Sequence, residues 1–335
     1  MDRQYVGIDL HRRRSVIVRK DANGEVLAKT HITNEPATLA AAVADAGPGA
    51  HVVLEATYGW YWAADLLQDL GLDVHLAAPS GLNWGSRRVK TDERDAVDLA
   101  DMLRLGRLPE AWIAPPATRE LRELVRHRIK LVSLRTGLKA QVHAVMAKNG
   151  VLPARVEMWG PGGTAQLDSL ELPDAYARRL DSLRRLIANI DDEVAQAQVE
   201  IHRRLRGDRG YEAIQHLNGV GQVLAAVFVA EIGDIHRFSS PKALCSWAGI
   251  TPRHHQSDTT LHRGPVTKQG SRLVRWAAVE AVARGRGGPK LVADYQRIAA
   301  NRGRFKARVA VARKLLCLVY YGMRDGEIRA LREAV

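Results

Sequence analysis

Cysteine is nearly absent: Cys245 and Cys317 are the only two in 335 residues, and each sits in an apolar, helix-like stretch. A buried, reduced pair in a cytosolic protein accounts for them better than a disulfide framework does. No CxxC pair and no Cys/His spacing speaks for zinc. There is no signal peptide, no lipidation motif and no apolar run long enough to span a bilayer, so a membrane is not the expected partner. Internal repeats and low-complexity tails are also missing.

Acidic residues become scarce after the first third. Residues 1–110 carry 13 Lys/Arg against 16 Asp/Glu, and the remainder carries 37 against 21. The net charge is +13 and the sequence pI about 10.0, which calls for an anionic partner. An acidic first part and a strongly basic remainder fit nucleic acid better than they fit charge kept only for solubility. The length is that of about two domains on the usual prior, and 46% hydrophobic residues can fill real cores.

Apolar runs and turn residues predict strands over 5–10, 15–19 and 26–32, with Ala22-Asn23-Gly24 as a hairpin turn. A helix over 36–46 starts at Pro36. A strand over 51–55, a helix over 60–70, a strand over 72–78 and a helix over 92–105 follow. Three meandering strands and then alternating helices and strands are the order of an RNase H-like α/β domain with a mixed sheet. After Pro115-Pro116, apolar residues recur at helical spacing over 117–149 (Leu121, Val125, Ile129, Val132, Val142) and again from about 175 to 205 (Leu180, Leu183, Ile187, Val194, Ile201). Between the two lies the break Trp159-Gly160-Pro161-Gly162-Gly163. The pattern predicts an antiparallel coiled-coil hairpin, with a plain helical bundle as the alternative. The third part is mostly helical. Its opening, His216-Leu217-Asn218-Gly219-Val220-Gly221, resembles the turn of a helix-hairpin-helix element, in which Gly219 and Gly221 let backbone N–H groups approach a phosphate. The expected division is 1–112, 113–206 and 207–335.

Four carboxylates stand out. Asp9 ends the run Tyr5-Val6-Gly7-Ile8-Asp9, and Glu55 ends Val52-Val53-Leu54-Glu55. A buried, unpaired carboxylate is costly, so an acid closing an apolar strand needs a reason. Asp92 and Asp95 share a helix face at i and i+3. Acids in a first helical turn also suit the helix dipole, and because Asp98 and Asp101 continue the spacing, the pair can slip by one turn. Two acids at strand ends and two on one helix face can surround a pair of divalent cations, an arrangement suited to phosphoryl transfer.

A second polar constellation runs from Thr251 to Gly270. Residues 251–290 hold eight basic side chains, among them Arg253, Arg263, Lys268, Arg272 and Arg275, against Asp258 and Glu280. It is expected to be a non-periodic loop between two helices that grips phosphate. Ser257 lies inside it as either a nucleophile or a turn-forming residue, because a serine hydroxyl needs activation to attack. His254 and His255 are expected at the surface.

Taken together, these motifs resemble the DEDD transposases of bacterial insertion sequences, relatives of the Piv DNA invertase described as bridge-RNA-guided recombinases. Gly7-Ile8-Asp9, Glu55-Ala56-Thr57-Tyr58-Gly59 and Lys90-Thr91-Asp92-Glu93-Arg94-Asp95-Ala96 resemble the family's acidic motifs. Ala248-Gly249-Ile250-Thr251-Pro252 through Ser257, continued by Lys268-Gln269-Gly270, Leu273 and Arg275, resembles its C-terminal motif. The resemblance implies a RuvC-like domain binding Mg²⁺ through Asp9, Glu55, Asp92 and Asp95. It implies that Ser257 forms a covalent phosphoserine link to DNA, at a site completed between protomers of a dimer, with two dimers making a tetramer and the coiled coil serving assembly. It further implies a structured noncoding guide RNA that pairs with donor and target DNA, and a cytoplasmic, nucleoid-associated place in a bacterium. Two departures stand out: the family usually has glycine after the serine, where this chain has Asp258, and Pro265 is unusual in the following segment.

Two other functions fit the same residues. One is a RuvC-like, structure-specific nuclease that uses activated water, with Ser257 a turn residue. The other is a non-catalytic nucleic-acid-binding protein that relies on the basic portion.

Overall fold

The apolar run that ends at Asp9 becomes the centre of a sheet. In the computed structural model, which describes residues 3–82, 91–153, 158–285 and 288–331 apart from the side chains of Leu261 and Arg263, six strands lie in the order β3-β2-β1-β4-β5-β6. Lys90, Arg286 and the Arg263 side chain, each part of a motif above, fall outside the described residues.

Strands β1 (Tyr5–Leu10), β2 (Arg14–Lys20) and β3 (Val26–Thr33) form an antiparallel meander. Its second turn is held by Asp21, whose carboxylate accepts from the N–H groups of Asn23 and Glu25, the self-bonding that favours Asp in turns. Strands β4 (His51–Glu55) and β5 (Asp73–Ala77) then run parallel to β1. A two-residue strand, β6 (Glu110–Ala111), pairs antiparallel with β5 and is too short to leave a pattern in the sequence. Helices α1 (Pro36–Ala44), α2 (Trp60–Asp69) and α3 (Asp92–Arg104) complete the unit, which covers Met1–Ala114.

Strand residues alternate between the two faces of the sheet. Val6, Ile8, Val52 and Leu54 pack with Leu39, Ala63, Ala64 and Leu67 of α1 and α2. On the other face Val53 and Ala77 pack with Leu99 and Leu103 of α3, and Ala96 packs with Val16 and Val18. Gly7 points to this second face. A Cβ there would lie 2.0 Å from the Ala96 carbonyl oxygen and 2.8 Å from the Ala100 nitrogen. Glycine on the strand and alanines on the helix therefore let α3 rest directly on β1.

The second unit covers Pro115–Val335. Helices α4 (Pro116–Lys148) and α6 (Asp174–Leu205) run antiparallel, because partner numbers fall on one as they rise on the other: Arg204 meets Glu120, Arg135 meets Asp191 and Arg179 meets Gln141. One end of the pair packs Val142, Val145 and Met146 against Leu180, Leu183 and Ile187. At the other end Val125, Ile201 and Leu205 join the core of the remaining helices. The Pro/Gly-rich break contains a short helix, α5 (Pro161–Asp168), started by Pro161 and lying so close to Met158 that a Cβ on Gly163 would sit 2.0 Å from its carbonyl oxygen.

Helices α7 (Arg209–Gln215), α8 (Gln222–Ile232), α9 (Pro241–Trp247), α10 (Arg272–Arg284), α11 (Pro289–Arg302) and α12 (Arg304–Asp325) build the rest. Buried Glu231 of α8 accepts a bidentate pair from Arg126 of α4 at 2.7 and 3.1 Å and a bond from Ser271 Oγ at 2.9 Å. That network fastens the long helix to α8 and to the start of α10. The cysteines are free thiols, with Sγ atoms 3.7 Å apart.

The segment expected to be an irregular loop is instead a β-hairpin, β7 (Pro252–Ser257) paired with β8 (Thr260–Val266). Every β7 residue is exposed. With no face buried there is no hydrophobic alternation to read, so the strand signal is missing from the sequence. Pro265 sits near the register shift at Pro252/His254, a place where a ladder tolerates proline. Among the described residues, no helix is long and apolar enough to cross a membrane.

Candidate active site

The register of the parallel strands places the first two acids. Ile8 pairs with Leu54, so the next residues, Asp9 and Glu55, occupy neighbouring positions at the ends of strands about 4.8 Å apart. Both belong to the face covered by α3. Thr91 begins that helix by accepting the Arg94 N–H on its Oγ1 at 3.4 Å, a hydroxyl N-cap. The first turn thus starts with Asp92 and brings Asp95 under the helix, where it is 1% exposed.

Asp9 is itself only 6% exposed. Burial pushes its carboxyl above the ordinary carboxylate range, the charges of Asp92 and Asp95 push the same way, and His11 opposes them. His11, which sequence reasoning passed over, bridges two of the acids: its Nε2 lies 3.1 Å from Asp9 Oδ2 and 3.3 Å from Asp92 Oδ1. One ligand atom from each of the three falls within 4.8 Å of the others. A histidine two residues past a strand-ending acid is the signal that was there to find.

The acid at the far end of the spacing on α3 is occupied otherwise. Asp101 pairs with the buried Lys20 ammonium and with Arg104, so it stabilises the β2–α3 contact. Glu93 points away from the acids to Lys29 and His31. The structure therefore brings Asp9 together with Asp92 and Asp95. Glu55, half-buried, is placed beside Asp9 by strand register. Carboxylate oxygens dominate this donor set, which suits a hard divalent cation.

Ser257 stands at the exposed tip of the hairpin, opposite Thr260, with His255 opposite His262. Alternation puts the Ser257 and His255 side chains on one face of the ribbon. Asp258, the first residue of the two-residue turn, has φ +51, in the region where glycine is preferred and Asp is tolerated. The backbone here is thus one that glycine would adopt freely.

The base of the hairpin is a backbone-to-backbone lock. A Cβ on Gly249 (φ +66) would lie 2.3 Å from the Gln269 nitrogen, and one on Gly270 would lie 1.8 Å from the Trp247 carbonyl oxygen. Arg275 closes the lock, with Nη1 donating to the carbonyl oxygens of Ala248, Gln269 and Gly270 at 2.9, 2.5 and 3.2 Å. Its guanidinium is thereby committed to the loop and is not displayed as Arg253, Lys268 and Arg272 are, all three exposed. Gly219 is likewise a packing residue: at φ +94, a Cβ would be 2.2 Å from the Ala281 carbonyl oxygen. Gly221, at the start of α8, is exposed with open space before it.

Two transposase families match this chain in series. Residues 6–149 match a DEDD-type transposase family named for IS110, and residues 211–295 match the transposase family described as IS116/IS110/IS902. Among similar proteins is a transposase-like protein, y4qE, of Sinorhizobium fredii, 28% identical over 284 residues that make up 82% of this chain and 70% of that one. The transposase for insertion sequence element IS1328 of Yersinia enterocolitica is 21% identical over 279 residues, 82% of this chain and 81% of that one. The pilin gene-inverting protein of Moraxella bovis is 31% identical over 111 residues, 32% of this chain and 34% of that one. The first match contains all four acids, and the second contains the hairpin with Ser257.

Proposed function

We propose, from the premise that this chain is an IS110/IS116-family transposase with a DEDD-type N-terminal domain using a divalent metal, that it cuts and rejoins donor and target DNA through Ser257. Mg²⁺ is the metal of this reading, held by Asp9, Glu55, Asp92 and Asp95. The observation that carries it is the convergence of Asp9, Asp92 and His11 within 4.8 Å at the end of β1, inside the segment matched by the DEDD transposase family. The sheet order fits an RNase H-like, RuvC-related domain, and the antiparallel helix pair fits a coiled coil.

Mg²⁺ bound there would supply positive charge against the phosphate oxygens. Asp9 and Asp95, buried on a strand and a helix that pack without intervening side chains, hold their carboxylates in fixed positions. His11 yields its place between Asp9 and Asp92 or swings outward, which its 52% side-chain exposure permits. Ser257 Oγ attacks phosphorus, the phosphorus–oxygen bond to deoxyribose breaks, and the departing oxygen takes a proton. The phosphoserine diester stores the bond, so the reverse attack by a new DNA end rejoins strands without ATP. The lock built from Gly249, Gly270 and Arg275 keeps the ribbon that carries Ser257 in one orientation. Arg253, Arg263, Lys268 and Arg272 serve the DNA or RNA backbone, and Gly221 offers the α8 N-terminus to a phosphate. A structured noncoding RNA supplies sequence choice by base pairing, and the working particle is a homotetramer assembled from dimers in the bacterial cytoplasm, at the nucleoid.

The test is a covalent-adduct assay. Purified protein, the element's flanking noncoding RNA and matched DNA are incubated in Mg²⁺ and denatured. A protein–DNA band that disappears in Ser257→Ala is the expected result. Cleaved DNA with no band would replace the serine pathway with hydrolysis by activated water, and tight binding without chemistry would leave a binding protein.

A further inference from the structure

The opposite end of the same sheet carries a second cluster that the transposase reading does not use. His51 opens β4, Asp73 opens β5 directly across from it, and His75 follows two residues later across from Val53. Register and alternation therefore set all three side chains on one face. His51 Nδ1 lies 2.7 Å from Asp73 Oδ2, His75 Nε2 lies 3.3 Å from the same oxygen, and the two ring nitrogens are 3.4 Å apart. A tetrahedral ion with bonds of about 2.0 Å spaces its ligand atoms about 3.3 Å apart. The triangle is thus close to one face of such a tetrahedron before any ion arrives.

The surroundings fit the same chemistry. His75 Nδ1 lies 3.1 Å from Glu110 Oε1, on the strand β6 beyond. A carboxylate on the outer ring nitrogen fixes the tautomer that turns a lone pair at Nε2 toward the triangle, the usual support of a metal-bound histidine. The site is open on one side: the Asp73 side chain is 53% exposed, against 12% for His51 and 21% for His75. Glu55 lies four residue steps along the strand from His51, roughly 13 Å at the rise of a strand, so an ion here would take no part at the acidic cluster. Two imidazoles and one carboxylate favour a borderline transition ion over Mg²⁺.

We propose that His51, Asp73 and His75 form a zinc-class metal site that ties β4 to β5 at the end of the sheet away from the acids. One contact opposes loading. The Arg3 Nε–H donates to His51 Nε2, and because arginine only donates, that nitrogen is the acceptor and Nδ1 carries the proton. Binding at Nδ1 moves the proton to Nε2 and releases Arg3. The arginine is therefore a built-in competitor, and its removal tightens the site.

The experiment uses the full-length chain carrying Asp9→Asn and Asp92→Asn, so that the first cluster is silent, and Co²⁺ as the probe. One equivalent is expected to give the visible bands of tetrahedral cobalt. His75→Ala abolishes them, Glu110→Gln weakens binding about 10- to 100-fold, and Arg3→Ala strengthens it. Absence of saturable bands overturns the proposal, as do bands unchanged by His75→Ala. If His75→Ala does not fold, Glu110→Gln decides, and unaltered affinity in that variant overturns the proposal equally.

Discussion

Replacing Asp9 with Asn should make the metal-free N-terminal unit more stable at neutral pH, although it removes a central residue of the site. The Asp9 and Asp92 carboxylate oxygens lie within 4.8 Å of each other. Two unit charges at that distance repel by about 3.5 kcal/mol at an effective dielectric near 20, and by about 1 kcal/mol in bulk water. The Asp92 side chain is 58% exposed, so solvent screening moves the expectation toward the lower figure, about 1 kcal/mol. The sign with pH follows from the raised Asp9 carboxyl. Ionised Asp9 costs stability above its folded-state pKa. That cost fades as pH falls through the folded value and vanishes below the unfolded one, so the variant's advantage shrinks on acidification. On the proposed reading, Mg²⁺ should reverse the order. At a concentration 100 times its Kd it adds about 2.7 kcal/mol to the wild type and nothing to a variant that cannot bind. Native-state hydrogen exchange of the β1 amides reads this unit alone. Weaker protection of the Asn variant in chelator, or equal Mg²⁺ protection of both proteins, would refute the reasoning.

Other perturbations test the geometry elsewhere. Gly7→Ala places a methyl group 2.0 Å from the Ala96 carbonyl. It should cost roughly 2–3 kcal/mol in denaturant unfolding by lifting α3, and should lower metal affinity with it. Arg275→Met should loosen the hairpin base, seen as faster proteolysis between 252 and 266, while the salt dependence of DNA binding keeps its slope. Arg253→Ala should instead lower that slope by about 1, as loss of a phosphate contact does. Asp258→Gly relieves a left-handed φ and should retain strand cleavage, with the hairpin stabilised by up to about 1 kcal/mol; loss of cleavage would give Asp258 a chemical role.

What the sequence disclosed, and what it hid, follows from which faces are buried. Strands β1 and β4 are buried on both sides in their central residues, and β5 is buried at Leu76 and Ala77, so their apolar runs are legible and their boundaries fall within a residue or two of expectation. The long helices carry an apolar stripe and are equally legible. Strand β7 is exposed along its whole length, so its residues follow solvent rather than a pattern, and the segment read as a loop. The short helix α5 was hidden because Gly163 answers to one neighbouring carbonyl, that of Met158. Arg275 and Gly219 read as phosphate contacts because composition cannot distinguish a displayed guanidinium from one held by three carbonyls, or an open glycine from one pressed against a helix.

The acids present the reverse case. Spacing alone left two helical registers for the α3 pair, and charge alone could not choose between them. Small residues set where the helix meets the strand. Gly7 opposes Ala96 and Ala100, so α3 approaches β1 at one fixed point of contact. With Ala96 fixed there, Asp95 is driven beneath the helix and Asp92 stands one turn back, beside the end of β1. Asp101, farther along, is carried past the strand to the Lys20 ammonium. The glycine in Gly7-Ile8-Asp9 is therefore as much a determinant of the acidic site as the aspartate it precedes by two residues: it sets the depth and phase of the helix that brings the other carboxylates to it.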